Sequence, residues 1–256
     1  LPLKDLWEQP HTASLDIETY GALKYTKQRA FHPAKMRVID GVPNNQQILT
    51  ASITIPLANG KEFSAVYTLK TNEGLKSFLT AFKQLATGVE KVTILGQNLI
   101  FDLSCLMAWN EEIAAVLTQD NFMLEDLLLW NFLQSDSRPE RSLKSVCSLL
   151  HTFDYSNAVT EFSSNGYESS IDPALLRYNV YDTLATLRTR KYLQAAIANE
   201  KKPALSKLGP VCKTMMDDLL WCGLHLTMSG VCYNTDKLSN LLESLEAQRE
   251  ALITKA

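Results

Sequence analysis

Ser14-Leu15-Asp16-Ile17-Glu18-Thr19 sets two carboxylates one residue apart at the end of an apolar run. Side chains of a strand alternate between its faces, so Asp16 and Glu18 point to one side. Two hard oxygen ligands placed this way suit Mg²⁺ or Mn²⁺. Alone, the pattern also describes an ordinary solvent-facing strand. Two further stretches each add a carboxylate. Gly96-Gln97-Asn98-Leu99-Ile100-Phe101-Asp102 follows the apolar run Val92-Thr93-Ile94-Leu95, and Tyr178-Asn179-Val180-Tyr181-Asp182 lies in a long helical pattern. Tyr178 and Asp182 are four apart, hence neighbours on one helix face. Taken singly, Asp102 reads equally as a first-turn carboxylate favoured by the helix dipole, and Tyr178 with Asp182 as a surface pair.

Outward from these stretches, residues 13–19 read as a first, central strand. Residues 20–47 are polar and irregular, with Lys24, Lys27, Arg29, Lys35 and Arg37 opposed only by Asp40. They read either as a solvated loop or as a basic flap that touches a nucleic-acid backbone. Runs 48–57 and 62–69 form a hairpin about Asn59-Gly60. Thr71-Asn72-Glu73 caps a helix over 74–86, whose Leu75, Phe78, Leu79, Phe82 and Leu85 share a face. A buried strand at 92–95 leads into a helix at 99–109 with Asp102 in its first turn. A fifth strand at 121–124, helices at 125–133 and 142–150, and a Ser/Asn/Gly-rich mobile loop at 152–170 follow. Asp172 as N-cap and Pro173 at the first position start a helix that runs to 198. After Lys201-Lys202-Pro203 the pattern predicts a helix at 204–221, a turn-and-strand element at 222–233 and a further helix. This order fits a mixed α/β sheet flanked by helices.

The 256 residues allow one large domain or a domain with an appendage. A net charge of −3 excludes a polyanion-binding arm. It predicts weak intrinsic hold on nucleic acid, unless bound cations supply the positive charge. The five cysteines show no C-x-x-C, so disulfides are not expected and a reducing intracellular compartment is. No apolar run is long enough to span a membrane, so no membrane partner is expected. The chain opens on Leu1 and ends within a helical pattern without a C-cap signal, as expected of either a piece of a longer polypeptide or a shortened relative. Cys147 and His151 are spaced as a helical ligand pair. No second pair has finger spacing, so they read as a core thiol and a surface imidazole. There is no G-x-S-x-G, Walker A or G-x-G-x-x-G pattern.

Asp16/Glu18, Asp102 and Tyr178-x-x-x-Asp182, in that order, resemble the three exonuclease motifs of the DEDD superfamily, over roughly residues 10–198. The tyrosine points to the DEDDy branch; a histidine five residues before the last Asp would mark the other branch, and that place holds Arg177. Gly-Gln-Asn-Leu-x-Phe-Asp at 96–102 resembles the second motif of proofreading 3′→5′ exonuclease domains in family-A DNA polymerases. The resemblance implies an α/β, ribonuclease H-like (DnaQ-like) fold. It would have a five-stranded mixed sheet flanked by helices, followed by a short, mainly helical extension. Residues 1–200 would be the exonuclease domain. Residues 201–256 are similar to the start of a family-A polymerase thumb, with Gly230-Val231-Cys232-Tyr233-Asn234 in its glycine-x-x-x-(Asn/Asp) phrase; no palm motifs follow.

The resemblance also implies the chemistry. Two divalent ions, Mg²⁺ or Mn²⁺, would be held by Asp16, Glu18, Asp102 and Asp182. Asp16 would be shared, Glu18 and Asp182 would complete the site nearer the attacking water, and Asp102 would act on the second ion through water. Tyr178 would orient the attacking water. Gln97, Asn98, Phe101 and the backbone near Thr19 would meet the terminal nucleotide, and Leu23 would wedge between the last bases. The implied reaction is removal of nucleotides from a single-stranded DNA 3′ end. The implied protein is a monomeric proofreading enzyme with a covalently linked polymerase domain. A phage-type enzyme in the host cytoplasm, or an organellar one, is expected. The alternatives are a stand-alone DEDDy exonuclease acting on RNA 3′ ends and a non-catalytic scaffold domain. The scaffold predicts lost carboxylates, and all four are present.

Overall fold

The strand that carries Asp16 is buried on both faces along its first half, from Thr12 to Leu15, and lies at the centre of the sheet. In the computed structural model the described residues are 11–21, 46–87, 90–134, 142–155, 173–199 and 208–229, with short helical pieces at 243–246 and 248–249. Most of the basic 20–47 stretch, Leu23, most of the 152–170 loop and the Gly230–Asn234 phrase lie outside them. The elements run β1 (Thr12–Gly21), β2 (Gln46–Pro56), β3 (Glu62–Thr68), α1 (Asn72–Ala86), β4 (Val92–Gly96), α2 (Leu99–Trp109), α3 (Glu111–Val116), β5 (Phe122–Asp126), α4 (Leu127–Gln134), α5 (Leu143–Leu150), α6 (Pro173–Ala198) and α7 (Leu208–Ser229). The sheet order is β3-β2-β1-β4-β5. β1 pairs antiparallel with β2 and parallel with β4, and β4 pairs parallel with β5.

Local rules account for several of these elements. Gly60 sits at φ 80 in the β2–β3 turn, where a side chain would be strained. Thr71 Oγ1 accepts from the Gly74 amide at 3.0 Å and caps α1. α1 buries Phe78 and Phe82, which stack in sequence onto Phe122 of β5 with centroids 5.8 and 5.6 Å apart. Each buried aromatic contributes about 1.5–3 kcal/mol of transfer free energy. Leu15, Ile17, Ile53 and Ile94 belong to the same core.

The sheet face under α6 is built differently. Thr50, Ser52 and Thr54 of β2 are fully buried. Ser52 Oγ donates to the Asn179 carbonyl at 2.8 Å, and the Ser52 and Thr54 hydroxyls lie 2.9 and 2.7 Å from that of Thr183. Small hydroxyl side chains let the helix lie close to the strands, and their mutual bonds avoid the cost of burying unpaired polar atoms.

Two elements depart from the sequence expectation. β5 extends to Asp126, so Glu125 and Asp126 are strand residues paired with Leu95 and Gly96 rather than the first turn of a helix. α7 continues without a break to Ser229, where the sequence predicts a turn and strand from residue 222. The glycine there is a packing residue: a Cβ on Gly223 would come within 2.7 Å of Ile100 Cδ1, so its absence brings α7 onto α2. α7 also covers the open edge of β5. Asp217 Oδ1 accepts from the Leu124 amide at 2.6 Å and Met216 Sδ from the Asp126 amide at 3.3 Å. Met216, Leu220, Trp221 and Leu224 are buried in the main core. α3, which the sequence reading did not resolve, is capped by Asn110 Oδ1, which accepts from the Glu112 and Ile113 amides. Among the described residues no helix is long and apolar enough to cross a membrane.

Candidate active site

β1 places Asp16 and Glu18 on the face that meets α6, and α6 returns Asp182 to them. Carboxylate oxygens of Asp16, Glu18 and Asp182 all lie within 4.8 Å of one another. A β-bulge borders this point. Glu18 pairs with Thr50 and Thr19 with Ile48, which leaves Leu49 as an extra residue on β2. Leu49 packs against Leu175 and Tyr178 of α6 and so forms a floor for the tyrosine ring.

Asp102 comes in from the other side. Its Oδ1 accepts from the Ile17 amide at 3.1 Å, between the two strand carboxylates. The turn that delivers it is fixed by Asp126, whose two oxygens accept from the Asn98 and Leu99 amides at 3.0 and 2.9 Å. These are free N–H groups at the start of α2, and a carboxylate there also suits the helix dipole. Asn98 itself is left-handed, at φ 62 and ψ 44, a conformation asparagine tolerates better than most residues.

Neutral donors hold Asp16 and Asp182. Asn179 Nδ2 donates to Asp16 Oδ2 at 2.5 Å, while its Oδ1 accepts from Thr50 Oγ1 at 3.1 Å. Tyr155 donates its hydroxyl to Asp182 Oδ1 at 2.6 Å. The Tyr178 side chain hydrogen-bonds to Asp182 as well. Lys144 Nζ lies 4.7 Å from the centre of the Tyr178 ring.

The four acids disturb one another. Burial first, then the charges of Asp182, Asp102 and Glu18, hold the Asp16 carboxyl well above the usual range, against the Asn179 hydrogen bond. Burial, then Asp182 and Asp102, pushes Glu18 up to about 8, with Lys144 opposing. Burial likewise raises Asp102 to about 8, against the Ile17 amide and with Asp126 and Asp182 adding to the rise. Asp182 rises only to about 6, because Tyr155, Lys144 and Tyr178 oppose its burial. Converging acids that resist ionisation are what a divalent cation would relieve, and an all-oxygen donor set fits Mg²⁺ or Mn²⁺.

The structure therefore brings Asp16, Glu18 and Asp182 together, with Asp102 and Tyr178 beside them. Asn98 is exposed and Gln97 half-buried at the turn before Asp102, and Thr19 is half-buried past the bulge. Phe101 is half-buried against the core, its amide on the Asn98 carbonyl at 3.0 Å. Leu23 lies outside the described residues. Sequence reasoning missed Asn179, Tyr155, Lys144 and Asp126. Asn179 was findable, being three residues from Asp182 on the same helix face. Tyr155 and Lys144 reach the site through tertiary packing alone. Both also line a cleft of about 800 Å³ with His151 and Arg188. Cys147 is buried, 3.1 Å from Thr189 Oγ1, and His151 is an exposed left-handed residue closing α5.

No family model matches the sequence, and no curated protein matches it. Solved structures match along most of the chain. NrnC from Brucella melitensis bound to pGG shares 16% identity over 92% of this chain and 95% of its own, with a TM-score of 0.51. A second Brucella melitensis NrnC structure has the same identity and coverage and a TM-score of 0.53. The apo form of a nuclease shares 14% identity over 88% of this chain and 90% of its own, at a TM-score of 0.53. With the observed sheet order, these neighbours give the chain a ribonuclease H-like exonuclease fold. They do not single out a family-A polymerase domain.

Proposed function

We propose that this chain is a metal-dependent exonuclease that releases 5′-mononucleotides from single-stranded 3′ ends. The observation that carries the reading is the convergence of Asp16, Glu18 and Asp182 within 4.8 Å of one another, beside Asp102. Asp16, Glu18 and Asp182 would hold one divalent ion, and Asp102 with Asp16 a second. Such ions supply charge neutralisation at the scissile phosphate and water acidic enough to attack it. The chain's own residues do the rest. Tyr178, braced by Leu49 and bonded to Asp182, orients the attacking water through its hydroxyl. Asn98 and Gln97 present polar groups to the terminal nucleotide. Lys144 adds positive charge where the phosphate gathers negative charge.

Two substrate readings remain, each with its own observation. The likeness to nucleases over 95% and 90% of their lengths, one of them bound to pGG, supports a stand-alone DEDDy exonuclease acting on RNA 3′ ends. The Gly96–Asp102 phrase supports the proofreading domain of a family-A DNA polymerase, with residues 201–256 leading towards a thumb. Nothing in the four acids supports a scaffold without catalysis. The test is to incubate the purified chain with Mg²⁺ or Mn²⁺ and 5′-labelled single-stranded RNA, single-stranded DNA and duplexes. Ladders shortening from the 3′ end are expected. Faster RNA digestion favours the first reading; faster DNA digestion with a preference for mismatched ends favours the second. No product from any substrate with either metal overturns the exonuclease reading.

A further inference from the structure

Asp182 receives two tyrosine hydroxyls, and the DEDDy motif accounts for only one of them. The other belongs to Tyr155, beyond the end of α5, and nothing in the motif spacing points to it. Tyr155 is 6% exposed, and its ring packs with Cys147 and Ala185. Phe153 meets it edge-on at 5.2 Å and meets Tyr181 of α6 at 5.5 Å. The phenol is thus packed against Cys147, Ala185 and Phe153, and its hydroxyl donates to Asp182 Oδ1 at 2.6 Å. Resting on the metal-site reading above, we propose that Tyr155 is a positioning residue for the metal: it fixes the Asp182 carboxylate so that its other oxygen faces the ion. An ionised carboxylate is an acceptor on both oxygens, and a buried one left without a donor at Oδ1 would turn to find another. Tyr155 prevents that rotation while leaving the ligand's charge intact. Tyr178 is placed differently, over Leu49 and under Lys144, so the two tyrosines divide the work. Tyr155 holds the ligand and Tyr178 serves the water.

Tyr155→Phe keeps the clamped ring and removes only the donor, so the fold is retained. Loss of an outer partner of a metal ligand costs about 10- to 100-fold in metal affinity. The experiment measures Mn²⁺ binding directly, by calorimetry or by the paramagnetic signal of free Mn²⁺, alongside the Mn²⁺ dependence of the rate. Expected for Tyr155→Phe are a 10- to 100-fold weaker Mn²⁺ affinity, a rate at saturating Mn²⁺ close to wild type, and an unchanged thermal midpoint in chelator. Tyr178→Phe should show the reverse, with a lowered rate and unchanged affinity. In an Asp182→Asn background, adding Tyr155→Phe should weaken Mn²⁺ no further, because the carboxylate it steers is gone. Equal Mn²⁺ affinity in Tyr155→Phe and wild type overturns the proposal, as does an equal further loss in the Asp182→Asn background. A wild-type chain that binds no Mn²⁺ overturns the metal-site reading and this inference with it.

Discussion

Two groups of acids sit on opposite halves of the sheet, and among the described residues only one is matched by close ion pairs. Glu125, on β5, is fully buried and completely partnered. Arg190 reaches it with two nitrogens at 2.6 and 2.7 Å, Trp130 Nε1 at 2.5 Å, Gln194 at 3.2 Å and Lys213 at 4.0 Å. It ties β5, α4, α6 and α7 into one unit. Among the described residues, neutral donors reach Asp16, Asp102 and Asp182, the four acids repel one another, and Lys144 is a cation whose charge bears on Glu18 and Asp182. A buried charge must be paired, and an acid that the fold does not pair itself is set up for a cation from outside. The first group is architecture, and on the proposed reading the second holds the metal, although the residue types are the same.

Removing a single acid from each group is the sharpest way to test this contrast. Asp16→Ala should cost several orders of magnitude in nuclease rate while leaving the metal-free thermal midpoint equal or higher, since it removes repulsion. An exonuclease assay together with a thermal melt in chelator checks both. Retention of about a tenth of the wild-type rate would remove Asp16 from the reaction. Glu125→Ala should do the opposite. It strands Arg190 in the core and should destabilise the fold by about 3–5 kcal/mol, read by denaturant unfolding, while the folded fraction keeps its Mn²⁺ affinity. A melt within a degree or so of wild type would show that the Glu125 network is not structural.

A smaller effect separates the tyrosine from the metals. Tyr178→Phe should slow hydrolysis by about 10²-fold, the loss typical of one positioned polar group, with Mn²⁺ binding unchanged. Markedly weaker Mn²⁺ binding in that variant would place Tyr178 among the ligand supports instead. The last expected effect is on stability against pH. Glu18 and Asp102 are raised to about 8 and Asp182 to about 6. Between the ordinary carboxylate range and these values the folded state binds more protons than the unfolded chain. Stability without metal should therefore fall as pH rises through about 6 and then about 8. Divalent metal binds the ionised acids, so the stabilisation by Mg²⁺ should grow over the same range. Calorimetric scans from about pH 5 to about 9, with and without Mg²⁺, read both slopes, and a metal-free midpoint that climbs with pH would contradict them.

What could be read from the sequence was what local rules decide. Asp16 and Glu18 on one face of a strand follow from alternation, the α1 cap from Thr71, the hairpin from Asn59-Gly60, and the start of α6 from Pro173. Five strands with the first in the middle followed from the motif resemblance. What escaped was decided at a distance. The alternation of Thr50, Ser52 and Thr54 has the form of a solvent-facing stripe, but it is buried because α6 offers Asn179 and Thr183 to it. Glu125-Asp126 has the form of a helix start, but pairing with β4 keeps it extended. Gly223 has the form of a break, but it is a contact point between α7 and Ile100. Tyr155 had no signal at all, because its role depends on a phenol meeting a carboxylate 27 residues away.

α6 has a further consequence, for the order in which the molecule is made. It bonds to Asp16 through Asn179 across 163 residues of chain, whereas the Ile17–Asp102 bond closes only 85. Contacts between distant parts of a chain form late in folding and are slow to be made. On the proposed nuclease reading, a chain whose five strands have paired would still lack Asp182 and Asn179 at the site until its long helix docks. A brief lift of that helix, with every strand still paired, would take Asp182 away from Asp16 and Glu18.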